Sequence, residues 1–176
     1  MSEDGPSRNI AALEVEVVRH GGAWDDSAVN DATVELAAHA AFAEAVPKMA
    51  ASYDVTVVLA DDAEMRDLNR IWRGKDAATN VLSFPAGEAP GEPSPLGDIV
   101  IAYETVLKEA EDERLVLADH VSHLVVHGML HLLGFDHTQA DEAERMEELE
   151  RKALASIGIA DPYRDGNEAG LAEVAP

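Results

Sequence analysis

Alternating apolar and polar residues predict the strands of this chain. In ALEVEVVRH, residues 12–20, leucine and valine alternate with glutamate and two glycines follow, which predicts a strand with one solvated face and then a turn. Residues 54–61, DVTVVLAD, are rich in β-branched residues and predict a short buried strand. NVLSFP and GDIVIAY, in residues 80–85 and 97–103, have the same character. The pattern therefore predicts four strands.

Apolar residues at helical spacing predict five helices between and after these strands. The predicted helices cover residues 29–46, 63–72, 103–112, 116–133 and 138–157. The first follows the candidate N-caps Asp26, Ser27 and Asn30, and either Asp61 or Asp62 is placed to cap the second. A glycine follows each of the last two helices, which is a common C-terminal stop.

The length of 176 residues suits one domain with a substantial core and is short for two. We expect a single domain over residues 12–163, with a flexible N-terminus in residues 1–11 and a flexible acidic tail in residues 164–176. Residues 86–97, AGEAPGEPSPLG, are rich in proline and glycine and predict an exposed, mobile loop. Whether this loop covers a substrate or only connects two strands stays open.

The chain is strongly acidic, with 13 lysines and arginines against 35 aspartates and glutamates and a formal net charge of -22. This balance argues against non-specific binding to nucleic acid or to anionic membranes, and the acidic runs are most simply solvated surfaces. Four basic residues nevertheless fall within ten positions: Arg66, Arg70, Arg73 and Lys75. The sequence therefore predicts one small basic patch on an acidic body.

Cysteine is absent from the sequence, so disulfides and thiolate metal ligands are excluded. Any transition metal must then be held by His, Asp or Glu. The absence of cysteine fits a reducing compartment, and the polar first ten residues lack the apolar stretch of a signal peptide. No run approaches the roughly 18 apolar residues that span a bilayer. We therefore expect a cytoplasmic protein without membrane contact.

The segment HGMLHLLGFDH, which begins at residue 127, places three histidines among leucines. Residues four apart on a helix lie about 40° from each other, so His127 and His131 share one face and can reach the same ion. His137 would point away if the helix continued, but Gly134 permits a left-handed turn that brings the chain back to that face. The spacing thus predicts that the three rings converge.

A shared metal ion explains this cluster better than separate buried histidines. The helix is apolar around most of its circumference, and burying several unpaired imidazoles costs a few kcal/mol each, whereas one divalent ion satisfies them together. His120 and His123 lie on the same stripe, but they lack the return at the glycine, which leaves His123 as an outer or core residue. Three neutral histidines leave one coordination position open, as in catalytic zinc sites.

The spacing H-x-x-x-H-x-x-G-x-x-H is that of the metzincin metalloproteases. Those proteases carry a glutamate as general base directly after the first histidine. Here that position is Gly128, which has no acidic side chain. A peptidase would therefore lack its proton carrier.

With this glycine, the pattern H-G-x-L-H-L-x-G-[FY]-D-H resembles that of a narrower family, the YbeY endoribonucleases, which are bacterial ribosomal RNA maturation factors. NRIWRGKDAATNVLSFP, residues 69–85, is similar to the family's N-x-x-[YW]-R-x-K-D-x-x-T-N-V-L-S-F-P. LGDIVIA, residues 96–102, resembles its L-G-D-I-x-I strand, and ERMEELERKALASIGIADPY resembles its closing helix. The resemblance covers roughly residues 13–163.

This resemblance implies a compact α+β fold with a small mixed four-stranded sheet, a buried metal-binding helix and flanking helices. It also implies one zinc ion per chain, held by His127, His131 and His137, and an Arg73 that faces the metal cleft and is needed for activity. A guanidinium there suits a phosphodiester, because it binds two oxygens of the transition state. The identity of the general base or nucleophile stays open.

The other candidate residues have weaker support. Arg66, Arg70 and Lys75 are possible RNA contacts or ordinary surface charges. Asp136, His123 and Asp98 are possible partners of the metal ligands. Trp72 can stack on a base, but an aromatic at the end of an amphipathic helix is more often part of the core.

Three functions remain to be distinguished. The first is a single-strand-specific, metal-dependent endoribonuclease that matures the trailing end of small-subunit ribosomal RNA and serves ribosome quality control, with the small subunit and assembly factors as partners and without DNA binding. The second is a ribosome-assembly binding protein with a structural metal, and the third is a zincin peptidase. The open coordination position argues against the second, and Gly128 argues against the third.

Overall fold

The computed structural model describes residues 11–45, 51–87 and 95–164. Four strands and five α-helices lie in these ranges. In chain order they are β1 (Ala12–Arg19), α1 (Asp31–Ala45), β2 (Ser52–Ala60), α2 (Asp62–Arg73), β3 (Val81–Pro85), β4 (Gly97–Ala102), α3 (Tyr103–Glu113), α4 (Leu117–Leu132) and α5 (Ala140–Ser156). The predicted flexible termini, apart from residues 11 and 164, lie outside the described residues, as do residues 88–94 of the predicted loop.

The strands form one mixed sheet in the order β1-β2-β4-β3. β1 pairs with β2 and β2 with β4 in parallel, whereas β3 runs antiparallel to β4 at one edge. Parallel neighbours need a long crossover connection, and the helices between these strands supply it. The expected α+β class with a small mixed four-stranded sheet is confirmed.

Strand alternation divides the apolar core between the two faces of the sheet. The larger cluster covers the face that carries Val57, Ile99 and Ile101, and it includes residues of α1, α3, α4 and α5. The smaller cluster covers the opposite face, where Met65 of α2 packs on Val100 and its neighbours. α2 and α4 therefore lie on opposite sides of the sheet.

Helix caps explain where two of the predicted helices begin. The Asn30 side chain accepts a hydrogen bond from the backbone N–H of Thr33 at 2.9 Å, and Asp61 accepts one from Glu64 at 2.9 Å. Both satisfy N–H groups that have no partner within the first turn. Of the candidate caps, Asn30 and Asp61 thus fill this role.

Helix α4 is the most buried of the five α-helices that the structure describes. Each residue from His120 to Leu132 is buried, which matches the apolar circumference seen in the sequence.

Among the described residues no single helix is long and apolar enough to cross a membrane; α3 and α4 pass that test only as a pair, with a bend of 118° between them.

Candidate metal centre

Helix α4 holds two of the three clustered histidines. His127 and His131 are 3% and 2% exposed, and their Nε2 atoms lie 3.0 Å apart. The one-turn offset puts both rings on the same face of the helix, as their spacing predicts. Two ring nitrogens thus point at a common position inside the protein.

The third histidine reaches this position through a turn after α4. Gly134 has a φ of 97°, in the left-handed region where a side chain would be strained. The backbone N–H of Phe135 donates to the carbonyl of Leu130 at 3.0 Å, which closes the helix end and reverses the chain. The centroid of the His137 ring then lies 5.1 Å from that of His131 and 5.6 Å from that of His127.

Hydrogen bonds behind the rings fix their tautomers. His131 Nδ1 lies 3.0 Å from the carbonyl oxygen of Phe135, which can only accept, so this nitrogen carries the proton. His127 Nδ1 lies 2.5 Å from a carboxylate oxygen of Glu150 and donates to it. In the neutral rings the Nε2 atoms are therefore the unprotonated nitrogens, and their lone pairs face each other. Such an arrangement is repulsive unless a cation lies between them.

Burial favours the neutral, metal-binding form of His131. Desolvation and the neighbouring His127 and His137 lower the pKa of His131 to about 3. Burial opposes the ionisation of Glu150, but its hydrogen bonds from His123 and His127 outweigh that effect and hold the pKa of the carboxyl well below its usual range. The buried carboxylate is thus an anion that accepts a hydrogen bond from His127.

The three side chains fit a metal ion. Their ligand atoms all lie within 4.8 Å of one another. A tetrahedral zinc ion with Zn–N distances of 2.0–2.1 Å would set its donor nitrogens roughly 3.3 Å apart. This distance lies between the 3.0 Å that separates the Nε2 atoms of His127 and His131 and the 4.8 Å limit of the cluster. The Nε2 atom of His137 is buried and has no hydrogen-bond partner among the described residues. A cation would satisfy this nitrogen together with the two facing lone pairs.

Two of the predicted neighbours of the ligands, His123 and Asp136, lie beside this cluster. His123 Nε2 donates to the same carboxylate as His127, at 3.2 Å, so the two rings share Glu150. Asp136 accepts a hydrogen bond from the backbone N–H of His137 at 2.7 Å. Asp136 thus stabilises the turn that carries His137, while Glu150 orients a ligand ring.

The structure does not bring Asp98 to the histidines. Asp98 lies on β4 in register with Thr56, on the face opposite that of Ile99, which packs against α4. Burial and the nearby charge of Glu16 raise the pKa of Asp98. Successive side chains of a strand point to opposite faces of the sheet. Residues 98 and 99 therefore cannot both face the metal helix.

The raised pKa of Asp98 predicts a pH-dependent gain from Asp98→Asn. A carboxyl whose pKa is higher in the folded state than in the unfolded state costs stability once the pH exceeds the folded value. The variant should therefore have a slightly higher free energy of unfolding at pH 7, measured by urea denaturation, by less than about 0.5 kcal/mol because the residue is exposed. The gain should shrink at pH 4. Glu16→Gln should give part of the same gain; an equal gain at both pH values would contradict this explanation.

Two arginines of the predicted basic patch are ion-paired. Arg66 makes two hydrogen bonds to Asp76, at 2.7 and 2.9 Å, and Arg70 lies 3.3 Å from Asp67. Lys75 is exposed just after α2. Aspartates in the same segment thus neutralise part of the predicted patch.

Arg73 and Trp72 end α2 beside the edge strand β3. The Trp72 side chain is 50% exposed, so the expectation that it belongs to the core is wrong. Its ring meets Phe84 edge-on, with centroids 6.0 Å apart. The preceding residue, Ser83, donates to the carbonyl of Gly128 in the metal helix at 3.3 Å. The end of α2 and the metal helix therefore contact adjacent residues of β3 from opposite faces of the sheet.

Close packing explains the glycine after the first ligand. A Cβ atom at Gly128 would lie 2.9 Å from Ile99 Cγ2 and 3.1 Å from Ser83 Oγ. Both neighbours belong to the sheet beneath α4. A glutamate, the general base of the metzincin proteases, has no room at this position.

Glu150 contacts the histidine cluster and Tyr163 contacts Glu150, although no sequence motif singles them out. Glu150 is 1% exposed and accepts hydrogen bonds from two histidines and from the Tyr163 hydroxyl. Glu150 is one of many glutamates in α5, but its spacing from Met146 and Ala153 puts it on the apolar face of that helix. A charged residue on that face was the signal that could have found it.

Comparison with known proteins identifies the family of the chain. The profile described as Endoribonuclease YbeY matches residues 23–158. The chain belongs to the YbeY family. A protein of Parvibaculum lavamentivorans that is named Endoribonuclease YbeY is 46% identical to this chain, over 93% of this chain and 96% of the relative. A protein of the same name from Bradyrhizobium diazoefficiens is 48% identical, over 89% of this chain and 87% of the relative.

A solved structure has the same fold. The solution structure of TM1509 from Thermotoga maritima matches with a TM-score of 0.53 and 20% sequence identity, over 90% of this chain and 100% of that one. At this identity the likeness supports the fold alone. Membership of the YbeY family rests on the profile and on the closer relatives.

Proposed function

We propose that this protein is a zinc-dependent endoribonuclease that cleaves single-stranded RNA. The observation that carries the proposal is the convergence of three unprotonated or unpartnered histidine nitrogens in a family whose members are named endoribonucleases. The donor set of His127, His131 and His137 would hold the ion, one per chain, and leave a coordination position for substrate or solvent.

The chemistry of the site suits hydrolysis of a phosphodiester. A zinc ion held by the three imidazoles supplies Lewis acidity at neutral pH. The chain's own residues hold the ligand rings: the Phe135 carbonyl orients His131, and Glu150 orients His127. Gly128 keeps a glutamate base out of the site, so a peptidase mechanism of the metzincin type has no proton carrier here.

Arg73 is the residue that we propose to bind the reacting phosphate. It is partly buried at the C-terminal end of α2 and follows Trp72, whose ring contacts Phe84 of the edge strand that also contacts the metal helix. A guanidinium binds two non-bridging oxygens at once, and these oxygens gain charge in the transition state. Arg66, Arg70 and Lys75 would add weaker contacts to flanking phosphates, in competition with the aspartates that pair with the two arginines.

The physiological substrate that we propose is the trailing end of the small-subunit ribosomal RNA precursor, with a role in ribosome quality control. A chain with a net charge of -22 binds bare RNA poorly. The small ribosomal subunit and assembly factors, in the cytoplasm, would therefore supply much of the binding energy. Neither DNA nor a membrane takes part.

Arg73→Ala tests this proposal. We expect the variant to keep one zinc ion per chain but to cleave a single-stranded RNA oligonucleotide about a hundredfold more slowly, because it loses a charge-assisted contact to the transition state. Arg73→Lys, the matched variant, keeps the charge without the two-pronged contact and should recover only part of the rate.

The measurement is a single-turnover cleavage assay with parallel metal analysis. His131→Ala, purified in the same way, measures any contaminating nuclease. Unchanged cleavage by Arg73→Ala would remove the assigned role of Arg73. RNA binding without cleavage by the zinc-loaded wild type would favour the ribosome-assembly protein with a structural metal.

A further inference from the structure

Glu150 receives three hydrogen bonds at the interface of α4 and α5. Its Oε1 atom accepts from His127 Nδ1 at 2.5 Å, and its Oε2 atom accepts from His123 Nε2 at 3.2 Å and from the Tyr163 hydroxyl. The carboxylate is 1% exposed, so these donors replace its hydration. The third donor comes from outside both helices.

Tyr163 is anchored by the residues around it. Its backbone N–H donates to Asp161 Oδ1 at 2.8 Å, and Arg151 of α5 lies 3.3 Å from the same carboxylate. The Arg151 guanidinium also lies 5.3 Å from the centroid of the tyrosine ring, and that ring meets His123 edge-on at 5.7 Å. The segment after α5 is thus fixed with its hydroxyl against Glu150.

We propose that Tyr163 is a positioning residue of the metal centre. This inference rests on the metal binding of the proposed function. The hydroxyl holds Oε2 of Glu150, which fixes the carboxylate plane and aims Oε1 at His127 Nδ1. The His127 ring is in turn held with its unprotonated Nε2 toward His131 and His137.

The geometry favours this role over a purely structural one. A carboxylate has roughly four lone-pair sites, and the three donors divide so that Oε1 serves the ligand His127 while Oε2 takes the other two. Outer hydrogen-bond partners of a ligand histidine typically change metal affinity by about 10–100-fold. Tyr163 lies beyond residues 23–158, which the family profile matches, so the profile itself does not cover it.

Tyr163→Phe tests the proposal, because it removes the hydroxyl and keeps the ring against His123 and Arg151. We expect zinc affinity, measured by competition with a chromophoric chelator, to fall about tenfold. We also expect the ¹⁵N resonances of the His127 ring in the metal-free protein to move toward a tautomer mixture. Glu150→Gln replaces an anionic acceptor and should lower zinc affinity further, by about a hundredfold.

Tyr103→Phe is the matched control, since Tyr103 is also partly buried but packs against Trp24. It should leave zinc affinity and the His127 resonances unchanged. If the wild type binds zinc and Tyr163→Phe binds it within twofold as tightly, with unchanged His127 resonances, the positioning role is overturned while the proposed function stands. A wild type that binds no zinc overturns both.

Discussion

His131→Ala should lose the metal ion and RNA cleavage together while the protein stays folded. In the proposed site His131 would contribute one of three ligand nitrogens, and its Nδ1 already donates to the Phe135 carbonyl. Loss of one of three ligands should weaken zinc binding by about a thousandfold, or about 4 kcal/mol. Cleavage should fall by at least about a thousandfold, because a hydrolytic step that depends on the ion has no substitute.

Metal analysis of the purified variant and chelator competition measure the first effect, and single-turnover cleavage measures the second. His39→Ala is the matched control: His39 is an exposed residue of α1, and its loss should change neither quantity. Circular dichroism should show equal helix content in both variants. A His131→Ala protein with one tightly bound zinc per chain would show that another set of residues holds the ion.

Gly128→Ala should destabilise the protein by about 1–3 kcal/mol, although alanine usually stabilises a helix relative to glycine by about 0.5–1 kcal/mol. The added methyl group would lie 2.9 Å from Ile99 and 3.1 Å from Ser83, and Ile99 is fully buried and cannot move aside freely. Overpacking should therefore exceed the gain in helix propensity. Urea denaturation of the metal-free protein measures the difference.

The same contact predicts the fate of a designed peptidase. Gly128→Glu restores the acidic residue of the metzincin pattern, but it adds a larger side chain and a buried charge at a position without space. We expect this variant to be insoluble or unfolded. A stable Gly128→Ala protein, with unfolding free energy equal to or above that of the wild type, would contradict the packing argument.

The fold could be predicted from the sequence wherever a pattern repeats along one element. Four strands and five helices were placed by their periodicity, and their ends differ from the prediction by a few residues at most: β2 begins at Ser52 rather than at residue 54, and α5 at Ala140 rather than at 138. Caps and last turns decide such ends, and they depend on single hydrogen bonds.

The convergence of the three histidines could be predicted for the same reason, and their hydrogen-bond partners could not. The spacing of His127 and His131, with Gly134 before His137, sets their mutual geometry through local backbone rules alone. Glu150 and Tyr163 reach the cluster only after α5 packs on α4 and the chain folds back. No local pattern encodes such tertiary contacts.

The three ligands differ in how much of the protein must move to release them. His127 and His131 belong to a buried helix, which we expect to open only with global unfolding, whereas His137 stands on a partly buried turn after Gly134. Exchange of the proposed ion with its surroundings would then need only a local opening of that turn. Amide protons of the turn, residues 134–137, should exchange with deuterium faster than those of α4. The dissociation rate of the ion should match the opening rate of this turn rather than that of the helix.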